Sequence, residues 1–248
     1  MNEALIRNAF GLDALDIICL ETTDSTNTQA KKYAPGRKTP LLIASDEQTA
    51  GRGRQGKRFY SPGGTGLYFS ILLPFGGKTE HLPLLTPMAA VAARRSILQT
   101  AHADTKIKWV NDLYLQDKKV CGILTESCCD LNGQITHILF GIGINMTTSA
   151  FPGEIQGIAG CIACEHRELL AGTIARQLLF LYQSNDENWM AEYQAHGYLT
   201  GKRVFFEKNA RRFEGIAGMP TPGGELPVVL DSGERVLLSS GEVSVKPI

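Results

Sequence analysis

Between two apolar segments, "PLLIASDEQ" (40–48) and "GLYFSILLP" (66–74), the chain passes through "TAGRGRQGKRFYSPGG" (49–64). Gly51, Gly53 and Gly56 match the G-x-G-x-x-G of a dinucleotide fold, and Gly51, Gly56 and Lys57 match the G-x-x-x-x-G-K of a P-loop. Either pattern holds phosphate only where a helix opens on the glycines, because the helix amino terminus carries the anion. Here Pro62 and further glycines follow, then a strand, and Arg58 stands where a P-loop needs a magnesium-binding hydroxyl. Both readings fail on context. What remains is a long glycine-hinged loop between two strands that carries Arg52, Arg54, Lys57 and Arg58. Clustered cations repel one another unless an anion collects among them, so the composition favours a loop that orders over an anionic ligand, against the alternative of a solvated basic loop.

The flanking pattern is that of a layered chain. "LDIICLETTD" predicts a strand that delivers "STNTQAKKYA", a helix to about Ala34 with a hydroxyl or amide cap, ended by Pro35 and Gly36. Apolar spacing predicts a helix over most of 81–101. "KIKWVNDLYLQDKKVCGILTES" predicts short strands around a turn at 116–118. "QITHILFGIGIN" predicts another strand that ends in a glycine-broken segment. The stretch "CEHRELLAGTIARQLLFLYQSNDENWMAEYQ" predicts helix with leucines on one face. From Gly201 the texture changes to short Val- and Phe-rich pieces separated by "GMPTPGGE" and "DSGE", a small β-domain of SH3-like barrel size. The fold class expected is therefore α+β, with domains at 1–199 and 200–248.

Charge and cysteine usage narrow the function. Twenty-five basic residues balance 25 acidic ones, which leaves no overall field for nucleic acid and predicts no nucleic-acid partner. No apolar run approaches the ~18 residues of a membrane helix, and "MNEALIRNAFG" lacks a signal-peptide layout. These features predict a cytoplasmic protein with no membrane partner and reduced thiols. Cys161 and Cys164 form a C-x-x-C, and Cys128 and Cys129 are adjacent, a poor match to two spaced zinc-ligand pairs. Apolar packing is the expected role of all of them.

"KWVND" followed by "DKKVCGIL" is the second concentration of chemistry. Lys119 can set an ammonium against developing negative charge in a partly closed site, or be an exposed turn lysine. Asn111 and Asp112 fit a turn, or a hydrogen-bonding and metal-binding pair at a strand end. "GIGIN" fits close backbone approach to a ligand, or a bulged core strand.

Together, "DSTNTQAK", "QTAGRGRQGKRFYSPGGTGLYFSILLP", "IKWVNDLYLQDKKVCGILTE", "GIGINM" and the terminal "SGEVSVK" resemble the biotin–protein ligases (biotin–[acetyl-CoA-carboxylase] ligases), from about Ile17 to Lys246. The resemblance implies a catalytic domain with a mixed sheet flanked by helices, followed by an SH3-like domain. It implies two half-reactions: activation of biotin by Mg-ATP to biotinyl-5′-AMP, then transfer to a lysine of a biotin carboxyl carrier domain of acetyl-CoA carboxylase. By matching motif, Ser25, Thr26, Asn27, Gln48, Gly51, Arg52, Gly53, Arg54, Lys119, Gly122, Gly141 and Gly143 fall to biotin. Arg52, Arg54, Phe59, Lys108, Trp109, Asn111, Asp112 and Asn145 fall to ATP and the adenylate, with Lys119, Arg54 and Asp112 as the catalytic groups and Asp112 the magnesium ligand.

Phe59 stands where the family often has Trp, Val110 where it usually has Pro, and Lys246 where Arg is common. About 16 residues precede the first strand, too few for a helix-turn-helix, which predicts a ligase without repressor function. Monomer and homodimer both remain open. The competing readings are a lipoate or octanoate ligase or transferase on a related fold, and a non-catalytic biotin sensor.

Overall fold

A computed structural model describes residues 1–11, 14–184, 188–239 and 245–248. Seven strands form one sheet: β1 (Asp16–Thr23), β2 (Leu41–Gln48), β3 (Gly66–Pro74), β4 (Lys106–Lys108), β5 (Asp112–Leu115), β6 (Lys118–Cys129) and β7 (Ile135–Asn145), in the order β1-β2-β3-β7-β6-β5-β4. β1 and β2 run parallel and the other pairs antiparallel, so the sheet is mixed.

Side chains alternate between the sheet's two faces. Leu67, Phe69, Ile71 and Leu73 of β3, Ile138, Phe140, Ile142 and Ile144 of β7, and Cys121 and Ile123 of β6 all enter the main core. That core is closed by α1 (Glu3–Phe10), α3 (Leu82–Ala101) and α5 (Arg167–Gln183). On the opposite face α2 (Thr26–Lys32) packs Ala30 over Leu41, Ile43, Leu72 and Leu139.

The next rows along that face hold little bulk. Gly141 pairs with Ser70 and Leu124, and Gly143 pairs with Tyr68 and Gly122, which in turn pairs with Asp112. Three neighbouring glycines in register leave a hollow in the sheet surface. β7 runs through them unbroken to Asn145, unlike the glycine-broken end expected, because cross-strand partners on both sides hold the backbone extended.

Two short helices, α4 (Gly153–Gln156) and α6 (Asn188–Ala195), complete this part, so the long carboxy-proximal helical stretch divides into α5 and α6. Buried Arg94 of α3 ties α6 down: its guanidinium donates to Thr105 O, Asp104 Oδ1 and Glu192 Oε1 at 3.0, 2.6 and 3.1 Å.

Five further strands, β8 (Arg203–Lys208), β9 (Arg211–Ala217), β10 (Leu226–Leu230), β11 (Arg235–Leu238) and β12 (Lys246–Pro247), form a separate antiparallel sheet ordered β11-β10-β9-β8-β12. Most of "SGEVSVK" lies outside the described residues, leaving Val245 and Lys246. The small sheet is docked through Trp109, whose indole N–H donates to Gly224 O at 2.9 Å, and through Gln194, whose amide donates to Pro220 O at 2.7 Å.

α1 has no counterpart in the sequence reading, yet its signals are present. The Asn2 side chain accepts from Leu5 N, Glu3 sits in the first turn, and Gly11 ends the helix at φ 75°. Among the described residues Ser25 stands at the start of α2 with no side-chain capping bond. The cap comes instead from Gln48 Oε1, which accepts from Thr26 N at 2.9 Å.

Candidate active site

The hollow face opens into a cavity of 530 Å³, bounded by the 51–58 loop, β5, β6, β7, the 151–159 segment and the edge of the small sheet. Ser25, Thr26, Asn27, Gln48, Arg52, Gly53, Arg54, Phe59, Lys108, Trp109, Asn111, Asp112, Lys119, Gly122, Gly141, Gly143 and Asn145 all line it. Gly51 lies behind the wall: a Cβ there would stand 2.5 Å from Phe59 O and 2.7 Å from Ser61 Oγ, so the loop base closes on itself at this position. Sequence reasoning missed Phe151, Ile155, Ile158 and Tyr198, which also face the cavity, because they belong to segments without a readable motif, and it missed Tyr114 although that residue lies within "IKWVNDLYLQDKKVCGILTE".

At the polar end, Gln48 bridges α2 and the loop base, receiving Thr26 N and donating to Ser61 Oγ at 3.0 Å. The Ser70 hydroxyl lies between Thr26 Oγ1 at 2.7 Å and Asn27 Oδ1 at 2.5 Å. Asn27 Nδ2 donates to Glu126 Oε2 at 2.8 Å. These buried groups satisfy one another, as buried polar groups must, and present a fixed set of donors and acceptors to the cavity.

The loop folds as a tight hairpin: Gly53 N donates to Lys57 O at 2.7 Å and Phe59 N to Gly51 O at 2.9 Å. Its cations, grouped in sequence, part in space. Arg52 pairs with Glu126, Arg54 donates to Asn111 Oδ1 at 3.3 Å, and Arg58 donates to Thr49 O at 3.0 Å. Phe59 lies on Gly143, where a Cβ would come within 2.5 Å of its ring, so the aromatic wall depends on that glycine.

At the other end, Lys119 Nζ stands 2.7 Å from Asp112 Oδ1, off the hydrogen-bond direction, and 6.0 Å from the Phe59 ring centroid. The backbone of Lys119 pairs with the 158–160 segment, fixing where the side chain starts. Asn111 is held by Ile123 through Nδ2 and through its carbonyl, at 2.9 and 3.0 Å. Asn145 Nδ2 donates to Gly160 O at 2.9 Å.

Burial lowers the Lys108 pKa; Asp112 opposes this, while Lys119, Lys57 and Lys246 add to it. Burial also lowers that of Arg54, against Asp112 and Tyr193. Four lysines from four elements thus converge on one cavity and repel one another, an arrangement that stabilises a polyanion bound among them.

A model of the biotin/lipoate A/B protein ligase family matches residues 19–145, just over half of the sequence. The chain belongs to that family. A family member from Paracoccus denitrificans, named biotin–[acetyl-CoA-carboxylase] ligase, is 30% identical over 223 residues, 88% of this chain and 92% of that one. The bifunctional ligase/repressor BirA of Bacillus subtilis is 35% identical over 161 residues, 63% of this chain. That match covers 48% of the Bacillus protein, so the chain spans about half the length of such relatives. Among solved structures of the family, the biotin protein ligase of Aquifex aeolicus in complex with biotin and ATP superposes with a TM-score of 0.78 at 26% identity. It covers 94% of this chain and 99% of that one.

Proposed function

We propose that this family member is an ATP-dependent biotin–protein ligase, with residues 1–199 as its catalytic domain and 200–248 as a small domain that closes one side of the site. The observation that carries this reading is the cavity itself. A hydrogen-bonding floor at Ser25–Asn27 and Gln48 and a convergence of cations at Lys108 and Lys119 share one hollow beneath the arginine loop. Biotin has a mostly apolar bicycle with a few polar ureido atoms and an anionic tail, which fits a floor of glycines, Leu124 and fixed polar groups. ATP brings the second anion, and holding two anions together requires cations placed in advance.

In the first half-reaction a biotin carboxylate oxygen attacks the α-phosphorus of ATP. The bond to the β-phosphate oxygen breaks, and biotinyl-5′-AMP and pyrophosphate form. Lys119 and Arg54 offset the charge where carboxylate and α-phosphate meet, and Phe59 shields the junction from water. In the second half-reaction a lysine amine of a carrier domain attacks the acyl carbon, AMP departs with the bonding pair, and the amine loses its proton as the amide forms. Among the described residues no cluster of three or more His, Cys, Asp or Glu suits a metal. A magnesium ion would therefore rest on Asp112 and on substrate phosphates, the usual donor set for that ion, and would supply charge neutralisation at the phosphates.

The carrier domain of acetyl-CoA carboxylase is the proposed acceptor and the cytoplasm the proposed compartment. Among the described residues no helix is long and apolar enough to cross a membrane. Transfer of radiolabelled biotin to a purified carrier domain tests the reading: label appears with ATP and not without it. Pyrophosphate exchange driven by lipoate and not by biotin would move the substrate to the lipoate branch, and biotin binding with no exchange would make the chain a sensor.

A further inference from the structure

Glu126 lies on β6, on the same face as Gly122 and Leu124, one row beyond the hollow, where it pairs across the sheet with Leu139. It does not line the cavity, yet three side chains from two elements converge on its carboxylate. Asn27 Nδ2 donates to Oε2 at 2.8 Å and Lys31 Nζ to Oε1 at 2.7 Å, both from α2. From the loop, Arg52 reaches Oε1 at 3.3 Å and Oε2 at 3.4 Å. The Glu126 side chain is 17% exposed and that of Arg52 45%, so the network is anchored at its carboxylate end.

Two consequences follow for the cavity. The Asn27 amide is fixed at both ends, nitrogen on Glu126 and oxygen beside Ser70, so its orientation toward a ligand is set from behind. The loop is also divided: Arg52 hangs on Glu126, whereas Arg54 hangs on Asn111 at the nucleotide end.

We propose that Glu126 is a positioning residue for the biotin half of the site, joining the pocket floor at Asn27 to the loop at Arg52. The proposal rests on the biotin-ligase reading above. It separates the substrates and confines Arg52, which the resemblance also assigns to ATP, to the biotin side: loss of the carboxylate frees Arg52 and Asn27 but leaves Arg54, Asn111 and Lys108 in place, so biotin affinity falls while ATP affinity holds.

The experiment is calorimetric titration of biotin, with initial-rate pyrophosphate exchange for both substrates, on wild type, Glu126→Gln, Arg52→Met and the double variant. Glu126→Gln keeps the size and an acceptor while removing the charge. The expected result is a biotin Kd raised about 10-fold or more, as for losing hydrogen bonds to a charged group, with the ATP KM within about 2-fold. The double variant should bind no more than about 2-fold worse than the weaker single variant, because coupled residues are non-additive. An unchanged biotin Kd in Glu126→Gln, equal rises for both substrates, or full additivity would each overturn the proposal.

Should Glu126→Gln fail to fold, Arg52→Met and Lys31→Met decide. The proposal requires the first to weaken biotin binding and the second to leave it intact, and equal effects would refute it. A wild-type chain that binds no biotin sinks the ligase reading and this proposal with it. Wild-type binding beside an indifferent variant sinks this proposal alone.

Discussion

Gly141→Ala adds one methyl group to the middle of β7, and the structure fixes what that methyl meets. The ideal Cβ position lies 2.1 Å from Asn27 Oδ1, 2.7 Å from Cγ and 2.8 Å from Nδ2. The φ of Gly141 lies outside the left-handed region, so the backbone tolerates alanine and the penalty is steric. Asn27 is 3% exposed and cannot swing aside into water; moving it breaks the contacts to Ser70 and Glu126. Overpacking a filled site costs ~1–3 kcal/mol, and a hydrogen bond to a charged group contributes ~1.5–3 kcal/mol; with the middle of that combined range, the loss is about 3–5 kcal/mol. For a chain of this size that lowers Tm by roughly 6–20 °C.

Gly143→Ala is the internal control. Its Cβ meets the Phe59 ring at 2.5 Å, but that ring sits on a loop and can lift away. Its melting loss should be under about 1 kcal/mol, with the cost appearing in activity as the aromatic wall shifts. Calorimetric melting and biotin titration of both variants provide the test. A Gly141→Ala protein with wild-type Tm and biotin affinity would refute the claim that these glycines exist to seat side chains from α2 and the loop.

Lys119→Ala should reduce biotin-dependent pyrophosphate exchange by about 10²-fold or more, the scale for removing a preorganised charge. Its partly exposed pair with Asp112 contributes little to folding, and circular-dichroism melting should show a loss of only a few degrees. Arg94→Ala removes the buried donor to Thr105 O, Asp104 and Glu192, of which Glu192 keeps Arg95 and Asp104 is exposed, and should cost about 1–3 kcal/mol in urea unfolding, with no specific effect on substrate KM values. Burial pushes the Glu126 carboxyl up, but hydrogen bonds from Lys31 and Asn27 outweigh it and hold its pKa below the ordinary value. Its stabilising contribution is therefore complete above the unfolded pKa of about 4.3 and is lost as pH falls through the folded value. The Tm difference between wild type and Glu126→Gln should hold from pH 7 down to the unfolded pKa and narrow progressively as the pH is lowered further, and a constant difference across that acid range would contradict this.

The local elements were legible because their signals are local. Pro74 closes β3 where the apolar run ends, and the helix expected over most of 81–101 occupies Leu82–Ala101. The absence of a helix after Gly51, Gly53 and Gly56 removed two nucleotide folds by sequence alone, since a phosphate-binding loop needs that helix within a few residues. The arginine loop and Lys119 were readable as charges short of a counter-ion. Their present partners were not: Arg52 meets Glu126 across 74 residues and Asn27 meets Glu126 across 99.

What the sequence determined by itself was most of the strands of the large sheet, the helix after Leu82, the glycine-hinged basic loop and the residue types available for joining two anions. What only the tertiary structure decided was register. Gly141 and Gly143 read along the chain as close backbone approach or a bulge, and with Gly122 become a hollow because antiparallel pairing aligns the three with one another and with Ser70, Tyr68 and Asp112. Side-chain alternation has a period of two, so a slip of one residue would turn that hollow into the main core and bring Ile142 and Ile144 out to the ligand. The site depends on long-range pairing that no local pattern encodes.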